Sequence, residues 1–188
     1  CGIAVLRDGG TAVEAMVAAA ATIAVVYPHM NGIGGDGFWL ISRVDGSVTA
    51  IEACGRAAMS TDIAAYRAAG STISPRGPRA ALTVPMAVAG WDTALQATGK
   101  RLPLERLLRD AIAHARDGVP ATASQSRHTA AKLGELGTLP GFGSIYAPSG
   151  RAPAEGERLT YPALAATLDR LARDGLRDLY DGTLAARN

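Results

Sequence analysis

AVEAMVAAAATIAVVYPHMNGIGGDGFWLISRVDGSVTAIEA, residues 12–53, decides how the chain folds, because it passes from helix to loop to paired strands with a signal at each change. Thr11 followed three residues later by Glu14 is a capping box, so a helix starts at Ala12 and runs to Val26. This helix is apolar on nearly every face, yet it is shorter than the roughly 20 residues a bilayer requires and carries Glu14. It reads as a central buried helix, and Tyr27-Pro28 stops it because the residue before a proline avoids the helical region.

The glycines between residues 32 and 37 read as a loop in which several residues take positive φ. Residues 38–44 and 47–53 follow as two strands, joined by Asp45-Gly46 as a two-residue hairpin turn. Phe38-Trp39-Leu40-Ile41 is apolar at every position, which predicts a strand covered on both faces. A lone hairpin is not independently stable, so it is expected to join a sheet.

Outward from this stretch the helical signals dominate. Residues 59–69 suggest a short helix opened by Ser60 or Thr61 and closed by Gly70. Residues 71–79 are a Pro/Gly/Ser/Arg loop, and residues 81–90 carry strand character into a helix reaching Thr98. From Pro103, Leu104, Leu107, Leu108, Ala111, Ile112 and Ala115 form one apolar stripe of an amphipathic helix ended by Gly118. Another helix covers roughly residues 121–133, residues 137–157 read as a long surface loop, and residues 161–173 and 176–187 read as two last helices. About six helices against two clear strands and one doubtful one is a poor inventory for an independent α/β domain. The hairpin's partners are therefore expected outside this chain.

Composition narrows the function. Among 188 residues, 19 Lys+Arg against 17 Asp+Glu leave a formal charge of +2. The arginines are scattered and aromatics few, which speaks against a nucleic-acid surface. Hydrophobic residues make up 48%, which excludes a disordered chain. Two cysteines, Cys1 and Cys54, are too few for a disulfide scaffold or a Cys-rich zinc site. Either end of the chain could be a cut, so the lack of a signal peptide carries no information.

Residues 32–37 match G-x-G-x-x-G, with Glu52 20 residues beyond Gly32, but a dinucleotide fingerprint follows a strand and opens a helix. Here the order is inverted, and the glycines read as a helix-to-strand turn. His29, His114 and His128 are far apart without metal-ligand spacing. His114 reads as solvated or at the core edge, while His29 stands beside the glycine loop. Cys54 reads as a small residue at a strand end, although Arg56 could lower its pKa. Arg56 itself lies just past a strand, where its planar fork of donors suits a carboxylate. Two readings stay open for it: a structural ion pair, or a clamp for an acidic ligand.

The ordered series of segments resembles the γ-glutamyltranspeptidase (glutathione hydrolase) family over essentially the whole chain. Residues 9–15 (GGTAVEA) open the apolar helix, and residues 28–38 (PHMNGIGGDGF) form the passage from proline to glycine loop to strand. Arg56 stands in the family's R-E-x-A-P-like motif, residues 84–90 (VPMAVAG) look like its V-P-G-x-V-A-G, and residues 176–184 (LRDLYDGTL) its late helix. The resemblance implies an α+β fold, part of the αββα sandwich of N-terminal-nucleophile hydrolases, and identifies residues 1–188 as a partial large-subunit domain.

It further implies a precursor that cleaves itself, and a small subunit whose N-terminal threonine attacks a γ-glutamyl amide to form an acyl-enzyme. Catalytic residues are then expected outside this chain, with Arg56 binding the α-carboxylate of the γ-glutamyl group. The implied partners are a small γ-glutamyl substrate and the small subunit of the same precursor. No cofactor, metal, nucleic acid or membrane span is expected, and relatives of both exported and cytoplasmic kinds fit. Four positions depart from the family pattern: Asp36 replaces a glycine, Ala57-Ala58 replace an acidic residue and proline after Arg56, and Met86 replaces a glycine. These changes keep open an acylase for glutaryl-type amides or a non-catalytic ligand-binding relative.

Overall fold

The computed structural model describes residues 1–70, 72–74, 80, 83–99, 101–139 and 141–187. In chain order the elements are α1 (Gly2–Arg7), α2 (Ala12–Val26), β1 (Gly37–Ser42), β2 (Val48–Ala53), α3 (Ile63–Ala69), α4 (Ala87–Thr98) and α5 (Leu104–Asp117). There follow β3 (Val119–Pro120), α6 (Ala123–Leu136), α7 (Phe142–Tyr146), β4 (Arg158–Leu159), α8 (Pro162–Asp174), α9 (Asp178–Asp181) and a closing 3-10 turn (Ala185–Arg187). Among the described residues no helix is long and apolar enough to cross a membrane. The chain divides into two compact units, residues 1–32 with 95–188, and residues 33–94.

The first unit is a helical assembly in which α5 packs against both α2 and α8, and α1 against α2. Leu107 and Leu108 of α5 and Leu168 and Leu171 of α8 are fully buried. Each such leucine contributes about 1.5–3 kcal/mol relative to exposure. On α2, Val17, Ala18, Ala21 and Val25 are buried, and the small alanines let a neighbouring helix approach closely.

The start of α2 is held more tightly than a capping box alone would hold it. Thr11 Oγ1 accepts from Glu14 N–H, and Glu14 Oε2 accepts from Thr11 N–H at 2.7 Å. Glu14 Oε1 also accepts from the N–H groups of Arg101 and Leu102, each at 2.7 Å. Glu14 is fully buried. Burial pushes its carboxyl pKa upward, but the N–H donors of Thr11, Leu102 and Arg101, with the Thr11 side chain, outweigh burial and hold it below the usual value.

Three of the helical expectations are corrected in detail. α3 begins at Ile63, because Asp62, not Ser60 or Thr61, caps it by accepting from Ala64 N–H at 2.8 Å. Residues 137–157 are not one surface loop: the Phe142 and Tyr146 rings pair at 5.3 Å across the single turn of α7, and the Tyr146 hydroxyl donates to the Pro28 carbonyl at 3.1 Å. Residues 176–187 are not one helix. Asp178 accepts from the N–H groups of Thr183 and Leu184, and a side chain at Gly182 would collide with Asp178, so α9 stops at Asp181. The loop at residues 71–79 and the strand character at 81–82 lie largely outside the described residues, although Thr83 makes an antiparallel bridge with Ala57.

In the second unit β1 and β2 form an antiparallel pair with Gly37 opposite Ala53, Trp39 opposite Ile51, and Ile41 opposite Thr49. This face is turned inward: Ile41 and Ala53 are buried and Trp39 half-buried. Within the unit, a Cβ at Gly90 of α4 would come within 2.8 Å of Ala53 Cβ and 3.2 Å of Trp39 Nε1, so glycine allows the helix to lie against the hairpin. The opposite face has no cover among the described residues, and the sequence places the hairpin's partners outside this chain. Phe38 is 73% and Leu40 80% exposed, because among the described residues the sheet has two strands and only its inner face is covered.

The turn also differs from a two-residue loop. Arg43 N–H donates to Ser47 O and Gly46 N–H to Arg43 O, with Gly46 at φ +82°. That is a three-residue loop with a left-handed glycine. The glycines at 34, 35 and 37 do not adopt positive φ.

Candidate functional site

Three segments that are far apart in sequence meet in the second unit. The Gly35 carbonyl accepts from Met86 N–H at 3.0 Å and Ala87 N–H at 2.9 Å. Asp36 Oδ1 accepts from Gly55 N–H at 3.1 Å. The Arg56 carbonyl accepts from Val84 N–H at 3.0 Å, and the Ala57–Thr83 bridge follows. The glycine loop, the strand end carrying Arg56, and the segment leading into α4 are thereby joined through their backbones.

Close approach explains one of the two glycines here. An added Cβ at Gly37 would sit 3.5 Å from Ala87 Cα, an ordinary contact, whereas one at Gly55 would be driven into the Val84 carbonyl. Gly55→Ala must therefore shift the loop, at a cost of about 1–3 kcal/mol. The expected result is a lower Tm for the full-length protein carrying Gly55→Ala, with Gly34→Ala, whose Cβ would enter open space, close to wild type.

Arg56 is exposed, and among the described residues no acidic side chain pairs with its guanidinium. The structural ion pair that the sequence left open is not formed among those residues. Cys54 is half-buried and its thiol pKa is raised, by burial first and then by the carboxylates of Asp36 and Glu52. Arg56 does not lower it, in keeping with Cys54 as a small residue at a strand end. Cys54 is held as a thiol, a poor nucleophile.

The inverted dinucleotide motif is also resolved by geometry. The N–H groups at the start of α4 that could face a phosphate are directed at Gly35 O instead, and the glycine loop leads into β1, not into a helix.

The histidines are placed differently from the sequence reading. In the first unit the His29 and His128 rings stack with centroids 5.7 Å apart, and Tyr27 tilts against His29 at 4.2 Å. His29 Nε2 lies 3.0 Å from Ser124 Oγ, while its Nδ1 is buried without a partner. Burial, and then the neighbouring His128, lower its pKa. Both histidines border a cavity of about 290 Å³ that Phe142 and Tyr146 also line. Their separation of nearly a hundred residues hid this pairing. His114 is exposed, as expected. Among the described residues no group of three or more His, Cys, Asp or Glu could hold a metal ion.

Comparison with known proteins places these features in one context. A family model described as gamma-glutamyltranspeptidase matches residues 1–187. The chain is 54% identical to the oxamate amidohydrolase proenzyme of Klebsiella pneumoniae, over 98% of this chain and 36% of that protein. It is 39% identical to the glutathione hydrolase-like YwrD proenzyme of Bacillus subtilis, over 97% of this chain and 35% of that protein. The crystal structure of a cephalosporin acylase from Bacillus halodurans superposes with a TM-score of 0.91 at 31% identity, covering 99% of this chain and 36% of that one. The chain thus spans about a third of the length of the curated relatives it matches. Its fold is α+β, the helix-rich part, with a hairpin, of an N-terminal-nucleophile hydrolase sandwich.

Proposed function

The chain belongs to the gamma-glutamyltranspeptidase family, and on that premise we propose that it is the large-subunit part of an enzyme that hydrolyses or transfers γ-glutamyl amides, with Arg56 clamping the α-carboxylate of the acyl group. The observation that carries this reading is an exposed guanidinium with no acidic partner among the described residues, on a loop fixed to two neighbouring segments by backbone bonds. A guanidinium–carboxylate bond is worth roughly 1.5–3 kcal/mol, and its planar fork also fixes orientation.

The chemistry itself lies in the small subunit. Its N-terminal threonine hydroxyl attacks the amide carbonyl, with the free α-amine accepting the proton, and the amine product leaves as the ester acyl-enzyme forms. Water or an amino acid then takes the acyl group. The relatives' names as proenzymes support a processed precursor, and the outward apolar face of Phe38, Leu40 and Val48 supports a further layer supplied by the second subunit.

A second reading is favoured by the 54% identity to a protein named oxamate amidohydrolase proenzyme and by Ala57-Ala58 after Arg56. In a γ-glutamyl or glutaryl amide three carbons separate the scissile carbonyl from the carboxylate, whereas in oxamate the two are directly bonded. A guanidinium fixed relative to the nucleophile therefore selects one length. The full-length processed enzyme is expected to give its highest kcat/KM with glutathione or a γ-glutamyl anilide, compared with a glutaryl amide and oxamate. Turnover of oxamate alone would replace the γ-glutamyl reading with the second one, and a precursor that never self-cleaves would sink both.

A further inference from the structure

We propose that Asp36 is a positioning residue for Arg56: its carboxylate holds the Gly55 N–H and so sets where the guanidinium is rooted. The inference rests on the proposed role of Arg56 as the carboxylate clamp.

The hairpin register supplies the argument. Gly37 opposite Ala53 is the last rung of the β1–β2 ladder at this end. The next backbone position on each strand, Asp36 and Cys54, is no longer paired as a rung. Asp36 Oδ1 instead reaches the N–H of Gly55 at 3.1 Å, so a side chain takes over where the ladder stops. One residue later the Arg56 carbonyl accepts from Val84 N–H at 3.0 Å. Arg56 is thus pinned on both sides, by Asp36 before it and by Val84 after it, and only its side-chain torsions stay free.

Gly55 cannot be displaced toward Val84, because its backbone already lies against the Val84 carbonyl. The Asp36 bond is consequently what opposes movement the other way. A carboxylate-to-N–H bond is charge-assisted and stronger than a neutral one. Asp36 is exposed and outside the buried core, which separates positioning from core stability.

The test uses the full-length proenzyme with Asp36→Asn, which keeps the Oδ1 acceptor, and Asp36→Ala, which removes it. Both are expected to self-process as wild type does. Asp36→Ala is expected to raise KM for the γ-glutamyl substrate about tenfold or more with kcat changed less than threefold, and Asp36→Asn to stay within about threefold of wild type. In an Arg56→Gln background Asp36→Ala is expected to add less than a twofold effect. Hydrogen exchange at the peptide containing Gly55 is expected to quicken in Asp36→Ala and not in Asp36→Asn.

An unchanged KM, equal losses in the two Asp36 variants, or an undiminished effect without Arg56 each overturn the proposal. Unchanged exchange at Gly55 in Asp36→Ala does the same without reference to any substrate. If the wild-type enzyme turns over glutaryl amides or oxamate instead, the substrate reading fails separately. The same KM coupling is then read with that amide, and the exchange measurement still decides the role of Asp36.

Discussion

Arg56→Ala in the processed full-length enzyme is expected to lower kcat/KM for γ-glutamyl amides by about thirtyfold to a few thousandfold. The range follows from the roughly 2–5 kcal/mol lost when one partner of a buried hydrogen-bonded charge pair is removed, as the clamp is proposed to be once substrate and small subunit enclose it, at tenfold per 1.36 kcal/mol. Arg56→Lys retains the charge but replaces a planar fork by a point donor, so a smaller loss, of about ten- to a hundredfold, is expected. Both variants should self-process normally, since the side chain is exposed and has no acidic partner among the described residues. A kcat/KM unchanged in Arg56→Ala removes the residue from the substrate site.

The second large effect concerns stability. Glu14→Ala removes the acceptor for the N–H groups of Thr11, Arg101 and Leu102 at once. A fully buried donor left without a partner costs about 1–3 kcal/mol; these three are only part-buried, so a total toward the low end, on the order of 3–5 kcal/mol, is expected, among the largest single-site effects. Glu14→Gln keeps one acceptor oxygen and should lose roughly 1–2 kcal/mol by the same reckoning.

The pH dependence has a defined sign. The folded carboxyl titrates below its usual value of 4.5, so its stabilising contribution is fully present above that value and disappears as pH falls through the lower folded pKa. The Tm gap between wild type and Glu14→Gln, measured on the full-length protein, should therefore hold near pH 7 and narrow only as pH falls below 4.5. A gap that widens in acid would show that the carboxylate charge does not contribute in this way.

The local signals that survived in the structure are those whose physics is confined to a few consecutive residues. Thr11, Glu14 and Pro28 bracket α2 with the bounds that capping chemistry and the proline rule imply. The leucine stripe of α5 fixes its buried face in the same manner. Where a residue's fate depends on a distant partner, the sequence was silent. Nothing near Glu14 announces that Arg101 and Leu102 will share its carboxylate, and nothing near His29 announces His128.

The candidate site divides along the same line. Its three segments were each legible as motifs, but their junction depends on bonds such as Asp36 to Gly55, across 19 residues, that no periodicity encodes. Phe38 and Leu40 mark a related limit: hydrophobicity shows that a face is to be covered, not which atoms cover it.

The double duty of Glu14 also bears on the order in which the protein can be built. Its carboxylate begins life in a helix made early, while one of its amide partners is encoded 88 residues later. At translation rates of about 5–20 residues per second, roughly 4–18 s elapse on the ribosome before Leu102 is even synthesised. Throughout that interval the nascent first helix carries an acid destined for the interior with only its own cap to satisfy it, so the helical unit can lock only after residues 33–94 have emerged.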